Sequence, residues 1–324
     1  MGKTETTKKR NIFLRIYDEY PMLLVLIALL IIGGILSPSF FSKINIMNIF
    51  RQNAVTGIVS LGVLFVVLGG TLDMSVGSIM SLTGLLALML QEHIGVAGAM
   101  IVAILAGAVI GLTNGLIIAG INGYSGESFM VTFGMTTLVQ GLALILTNGN
   151  MLLGSNSKFY NFLGDGNVFK IVPFSIVLFF AFSIIIGIFL AKSKKGREIY
   201  YMGSNPVAAR LAGLNIKRLR ILVYVISGCM AAIAAILLTG RTHGMTPTAG
   251  KEMEFDAITA LAVGGIGVSG GEGTVIHAII GVLIMGVIGN VMKIIGISSQ
   301  NQLIVKGVVL VLAVILDNIK KKKA

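Results

Sequence analysis

The sequence predicts an all-α polytopic membrane protein of about ten transmembrane helices with both termini in the cytoplasm. Three observations carry this expectation. Hydrophobic residues make up 55% of the 324-residue chain and charged residues 12%, against about 45–50% and about 25% in soluble domains. So few charges cannot cover a water-facing surface. Long apolar runs recur from residue 21 to residue 316, and a spanning helix needs roughly 17–25 mostly apolar residues. The basic residues gather beside those runs: before residue 16, between residues 192 and 220, and at residues 320–323. That is the distribution of loops retained on the cytoplasmic face.

In chain order the expected spans are 21–36, 54–70, 75–90, 95–121, 129–147, 171–191, 221–239, 257–268, 274–292 and 303–316. Residues 1–20 read as a cytoplasmic segment, 21–318 as one membrane domain, and 319–324 as a basic cytoplasmic tail. The first run follows a basic stretch, as in a secretory signal. No small-residue cleavage site closes it and further spans follow, so it reads as an uncleaved span. Six spans precede the basic 192–220 loop, which puts that loop on the side of the N-terminus. Only four spans after it return the lysine tail to that side, so the short 257–268 segment is counted as crossing. The 42 glycines are spread through the spans rather than pooled in a linker. Small residues let membrane helices approach closely. Val109-Ile110-Gly111 echoes Val287-Ile288-Gly289, but the expected topology runs those helices in opposite directions, so no repeat is assigned.

Several function classes are excluded. A formal net charge of +12 would suit nucleic acid, but the charges flank spans, Trp is absent, and no aromatic-basic module appears. Cys229 is the single cysteine and reads as a small buried hydrophobe. His93, His243 and His277 stand at no metal-ligand spacing, and no nucleophile-base pair is visible, so neither metal ligands nor catalytic residues are assigned. The stretch AVGGIGVSGGEGT (262–274) contains G-x-G-x-x-G, yet its flanks are membrane runs and no ribose-binding acid follows at the required distance. It also lacks the Lys-Ser/Thr of a phosphate loop, having Gly271 and Glu272 there instead. No cofactor is expected. What remains is a tight, flexible turn near the cytoplasmic face, with Gly264, Gly265, Gly270 and Gly271 as its key positions.

Asp73 is the only acid between Glu19 and Glu92, set between two apolar runs. A charge at a helix centre costs about 2.5–3.5 kcal/mol on insertion scales, so a functional role is the default. The other reading, compatible with the first, is a cap for a helix beginning near Ser75. A path for a polar solute needs hydroxyls, amides and apolar faces. Asn114, Thr132, Thr136, Gln140 and Asn290 supply the first two and Phe129 and Phe133 the third. With Asp73 and Ser75 these are the candidates for a translocation pathway or gate; interhelical packing is the competing role for each. Glu252, Glu254 and Asp256 form an acidic cluster expected at the outer end of a short helix. In the basic loop, Ser204-Asn205-Pro206 signals a helix start, and Ala208, Ala209, Arg210 and Leu211 follow before a stop at Gly213. A short helix of small residues there suits a groove on another protein; a merely solvated loop is the alternative.

Four ordered stretches carry a resemblance. TLDMSVGSIMSLTG (71–84), SFMVTFGMTTLVQGLALILTNG (128–149), GSNPVAARLAGLNIKRLRILVYVISG (203–228) and EFDAITALAVGGIGVSGGEGT (254–274) resemble the hallmarks of ribose-type sugar permeases, the membrane subunits of ATP-binding-cassette importers. Thr71, Met74, Ser128 and His277 depart from the usual pattern. The resemblance implies import of a ribose-like monosaccharide across the bacterial cytoplasmic (inner) membrane. It implies that Ser204, Asn205, Pro206, Ala208, Ala209, Arg210, Leu211 and Gly213 belong to the loop that docks a separate ATPase subunit, which binds the ATP. It further implies an extracytoplasmic solute-binding protein and a second permease subunit, identical or different, in contact with lipid. A nucleoside or another small polar solute is the alternative cargo. An ion-coupled secondary transporter would need paired intramembrane acids or a repeat, and the chain offers one candidate acid and no repeat.

Overall fold

A computed structural model describes residues 21–155 and 157–323. Its helices are α1 (Met22–Leu36), α2 (Lys43–Leu68), α3 (Val76–Met89), α4 (Gln91–Gly120), α5 (Ser125–Thr147), α6 (Lys158–Asp165), α7 (Phe174–Lys192), α8 (Lys194–Ser204), α9 (Pro206–Leu211), α10 (Ile216–Thr242), α11 (Met253–Gly264), α12 (Val275–Ile294) and α13 (Ser299–Lys323). Two short antiparallel pairs complete it: β1 (Leu152–Leu153) with β4 (Gly244–Met245), and β2 (Asn167–Val168) with β3 (Val172–Pro173).

Every expected apolar run contains a helix, although the 257–268 segment is helical only to Gly264 and the 171–191 run only from Phe174, and the chain is an all-α, multi-pass membrane protein. Among the described residues, six helices are long and apolar enough to cross a membrane: α2, α4, α5, α7, α10 and α12. α1, α3 and the 299–315 part of α13 are apolar but shorter, and α11 has 12 residues. The 1–20 segment lies outside the described residues.

Several boundaries differ from the hydropathy reading. α2 starts at Lys43, well before its apolar run, because Ser42 caps it: the Ser42 Oγ accepts from the Asn45 N–H at 3.3 Å. Its first turns therefore carry Asn45, Asn48, Arg51 and Gln52. α10 likewise starts at Ile216, where the Asn215 side chain accepts from the Arg218 N–H at 3.1 Å. α6 lies in a stretch read as having no element; its sequence, KFYNFLGD, is short and mixed, and its Ser157 cap is the main local signal.

α2 is the central post. Nearly every residue from Asn53 to Leu68 is buried, enclosed by α7, α10, α11 and α12. α4 lies antiparallel against α10 along a glycine seam. A Cβ on Gly107, Gly111 or Gly115 would run into the backbone of Gly228, Tyr224 or Ile221 respectively, so the two helices meet backbone to backbone. Gly289, the counterpart of Gly111 in the apparent echo, faces open space, which fits the absence of a repeat. The C-terminus of α2, the α4–α5 turn, α8, α9 and the turn after α11 gather at the end carrying the basic loop. α6, the β1–β4 pair, the start of α2 and the end of α12 form the opposite end.

Candidate functional site

The Leu68–Val76 connection turns back into the bundle instead of leaving it. Asp73 is fully buried, level with the middle of α10, and the chain around it is not helical. Its Oδ1 accepts from the Ser75 N–H (3.0 Å) and Ser75 Oγ–H (2.6 Å), and its Oδ2 accepts from the Ser227 hydroxyl (2.8 Å). Ser75 Oγ in turn accepts from the Asn114 amide at 2.8 Å. α5 holds the same strip: Ser128 Oγ accepts from the Leu72 N–H, Thr132 Oγ1 accepts from the Met74 N–H (both 3.0 Å), and Thr136 donates to the Met74 carbonyl (2.6 Å). The Tyr224 hydroxyl donates to the Leu72 carbonyl at 2.8 Å. Irregular backbone at membrane depth is tolerated only where protein satisfies its polar groups; α5 and α10 do so here, and α4 reaches the Ser75 hydroxyl through Asn114.

The structure thus gathers Asp73, Ser75, Asn114, Thr132 and Thr136 into one knot. Ser227 and Tyr224, which sequence reasoning missed, complete it, and Ser128 bonds to the strip directly. The other pathway candidates lie elsewhere. The Gln140 amide donates to the Pro247 carbonyl at 2.7 Å. Asn290 exchanges hydrogen bonds with Asn45 at the opposite end (3.0 and 2.7 Å). Phe129 and Phe133 are exposed on α5, with ring centroids 5.9 Å apart and planes within 5°.

Two short helices face each other near the knot. α3 has 14 residues and α11 has 12, or about 21 and 18 Å at ~1.5 Å per residue, short of a ~30 Å hydrocarbon core. They abut at Gly77, where a Cβ would overlap both the Gly250 carbonyl and the Glu254 carboxyl. The acidic cluster is consequently not an outward patch. Glu254 is buried in this contact, and Asp256 is paired with Lys306 of α13 at 2.7 Å.

At the basic-loop end, α9 is capped on both sides. Asn205 Oδ1 accepts from the Val207 and Ala208 N–H groups (3.1 and 2.9 Å), with Pro206 in the first turn. Gly213, at φ +83°, closes a Schellman turn in which its N–H and that of Leu214 reach the Arg210 and Ala209 carbonyls. Ala209 faces inward, while Val207, Ala208, Arg210 and Leu211 are exposed, Leu211 to 85%. A groove of about 350 Å³ lies between α8 and α9, with Tyr201, Ser204, Asn205, Ala208, Ala209 and Leu214 in its walls. Arg210 ties α9 to the α4–α5 turn by donating to Asn122 Oδ1 at 3.3 Å.

The glycine-rich turn is wedged in place. Gly264 packs on the His277 carbonyl, and Gly265 ends α11 in the left-handed conformation. Gly270 meets Gly70, and Gly271 meets Ser204, whose Cα would stand 2.7 Å from a Cβ there. The Gly271 N–H donates to the Leu68 carbonyl at 2.9 Å, and the Tyr200 hydroxyl donates to the Gly273 carbonyl at 2.9 Å. Burial pushes the Tyr200 hydroxyl above its ordinary pKa, so it stays protonated as a donor.

The opposite end holds a polar cavity of about 350 Å³ among the starts and ends of α2, α10 and α12. Arg51, Arg241 and Lys293 line it. Arg51 lies 3.5 Å from Asp165 and donates to Asn167 at 2.9 Å, and Lys293 donates to Gln52 at 2.9 Å. Beside it Tyr160 of α6 bonds Thr239 at 2.5 Å, and burial pushes its hydroxyl pKa up to about 12.

Comparison with known proteins places the chain in a family. Residues 45–314 match the family described as branched-chain amino acid transport system / permease component. The ribose import permease protein RbsC of Bacillus subtilis (strain 168) is 37% identical over 99% of this chain and 98% of its own. RbsC of Escherichia coli (strain K12) is 35% identical over 98% and 99%. The L-arabinose transport system permease protein AraH of Escherichia coli (strain K12) is 34% identical over 96% and 93%. No solved structure matches the chain. The chain therefore belongs to the branched-chain amino acid transport system / permease component family, among the ribose-type permease subunits of ATP-binding-cassette importers, which are not enzymes.

Proposed function

We propose that this chain is the inner-membrane permease through which a monosaccharide enters a bacterial cell, moved by ATP hydrolysis on a separate subunit. The cargo class rests on relatives named for ribose, allose and arabinose transport. The observation that carries the coupling is α9, a doubly capped helix presenting Val207, Ala208 and Leu211 to solvent beside the groove of α8. An apolar, preorganised protrusion on a basic face suits a groove on an ATPase subunit. The grouping of α8, α9 and the α4–α5 turn at one end supports ten crossings with both termini on that side, α3 and α11 being crossings completed by non-helical chain.

A second permease copy is assigned to the outer face of α5. Gly126, Gly134 and Gly141 meet no other part of the chain, and Phe129 and Phe133 are bare beside them, so a facing helix can come close. The solute path then runs between copies, walled by those rings, with the rest of the surface against lipid. Asp73, Ser75, Asn114 and Thr132 hold the gate's geometry, Gln140 fixes the loop at Pro247, and Asn290 ties the end of α12 to the start of α2 at the outer end. The basic cavity of Arg51, Arg241 and Lys293 receives acidic side chains of the solute-binding protein. The test of docking is Leu211→Asp with Val207→Asp. Loss of the ATPase from the purified complex, with membrane insertion unchanged, is expected; full retention of the ATPase would overturn the assignment.

A further inference from the structure

Three chain segments converge where α8 meets the glycine-rich turn, and no side chain separates them. A Cβ on Gly203 would overlap the Leu68 carbonyl and approach the Gly271 nitrogen to 2.6 Å; one on Gly270 would reach the Gly70 Cα at 2.5 Å. The Gly271 N–H takes up the last-turn carbonyl of α2 at 2.9 Å, a group that would otherwise lack a helix partner. Tyr200 adds a second tie, from α8 to the Gly273 carbonyl at 2.9 Å.

The two elements tied to α8 have a common destination. The end of α2 leads through Gly70 into the Asp73 strip and so into α3. The glycine-rich turn is the C-terminal root of α11. α3 and α11 are the two short helices that abut at Gly77 and Gly250. A displacement of α8 therefore reaches both short helices through close backbone contacts at Gly203, Gly270 and Gly271, reinforced by the Tyr200 hydroxyl. Packed backbone of this kind shifts between discrete arrangements instead of deforming smoothly.

We infer that Gly203, Gly270, Gly271 and Tyr200 form a rigid joint that delivers movement of the ATPase-docking arm to α3 and α11 together, with Tyr200 as its positioning residue. The inference rests on the docking role assigned to α8 and α9. It gives the glycine-rich stretch a mechanical task in place of a nucleotide-binding one.

The test compares wild type, Tyr200→Phe and Gly271→Ala in the full complex of permease, ATPase and solute-binding protein, reconstituted in vesicles with D-ribose. Two quantities are read: ATPase retained on purification, and ribose moved per ATP hydrolysed. Both variants should retain the ATPase and its basal hydrolysis, while ribose per ATP falls about tenfold, within the usual range of coupling free energies. Wild-type ribose per ATP in both variants would overturn the joint. Loss of the ATPase from Tyr200→Phe would also overturn it, making Tyr200 a docking residue. If Gly271→Ala does not insert, Tyr200→Phe decides alone, since it removes one hydroxyl and no volume. Failure of the docking reading is separable, because it shows as an ATPase retained on the Leu211→Asp, Val207→Asp chain.

Discussion

Asp73 illustrates how a single buried carboxylate can serve geometry. Its two oxygens accept three hydrogen bonds, from Ser75 and Ser227, fixing a turn that would otherwise place bare peptide groups inside the bundle. The Ser227 bond is worth about 0.6 kcal/mol as an average bond between membrane helices, and leaving the buried Ser75 N–H without its acceptor costs about 1–3 kcal/mol, so Asp73→Ala should lower stability by roughly 2 kcal/mol, read as a lower melting midpoint in detergent. Asp73→Asn should lose less, because the Ser227 hydroxyl can turn to accept from the new amide. An unchanged midpoint for Asp73→Ala would contradict this account. The sequence singled out Asp73 as a lone acid in apolar surroundings, and its pairing with Ser75 follows from a spacing of two. Ser227 was not legible: a serine in a helix carries no periodic signal, and its role comes from a neighbour 154 positions away.

At the scale of elements, hydropathy marked each of the six helices long and apolar enough to span, because each presents apolar side chains along its length. It misplaced the start of α2, where polar residues extend a capped helix toward the opposite end, and passed over α6, which is too short to show a period. Short α3 and α11 were legible as segments, but their contact was not. That contact makes a sharp prediction. Gly77→Ala forces the helices apart against the Gly250 carbonyl and should abolish uptake, whereas Gly120→Ala, with open space at its Cα, should leave uptake and assembly unchanged. Equal uptake by the two variants would remove the α3–α11 contact from the mechanism. The glycine-rich turn carries a parallel lesson. Its letters suggested flexibility, while its packing on Gly70 and Ser204 leaves it little room to move independently.

The whole molecule is two-ended. One end presents the basic loop, α9 and the glycine-rich turn; the other presents a cavity lined by three cations, of which Arg51 lies 3.5 Å from the Asp165 carboxylate. The distribution of charge was visible in the sequence for the first end, because Lys and Arg cluster between residues 192 and 220. It was hidden for the second, whose cations come from three distant helices. Arg241→Glu should weaken capture of the solute-binding protein and cut uptake at low binding-protein concentration, with recovery at saturation. Uptake insensitive to this reversal would remove the cavity from the docking surface.

The central claim is tested most directly by reconstituting the chain in vesicles with and without its ATPase and solute-binding protein, and measuring D-ribose uptake. The account predicts uptake only when both partners and hydrolysable ATP are present, with no response to an imposed proton or sodium gradient. Ribose uptake by the chain alone, driven by such a gradient, would contradict it.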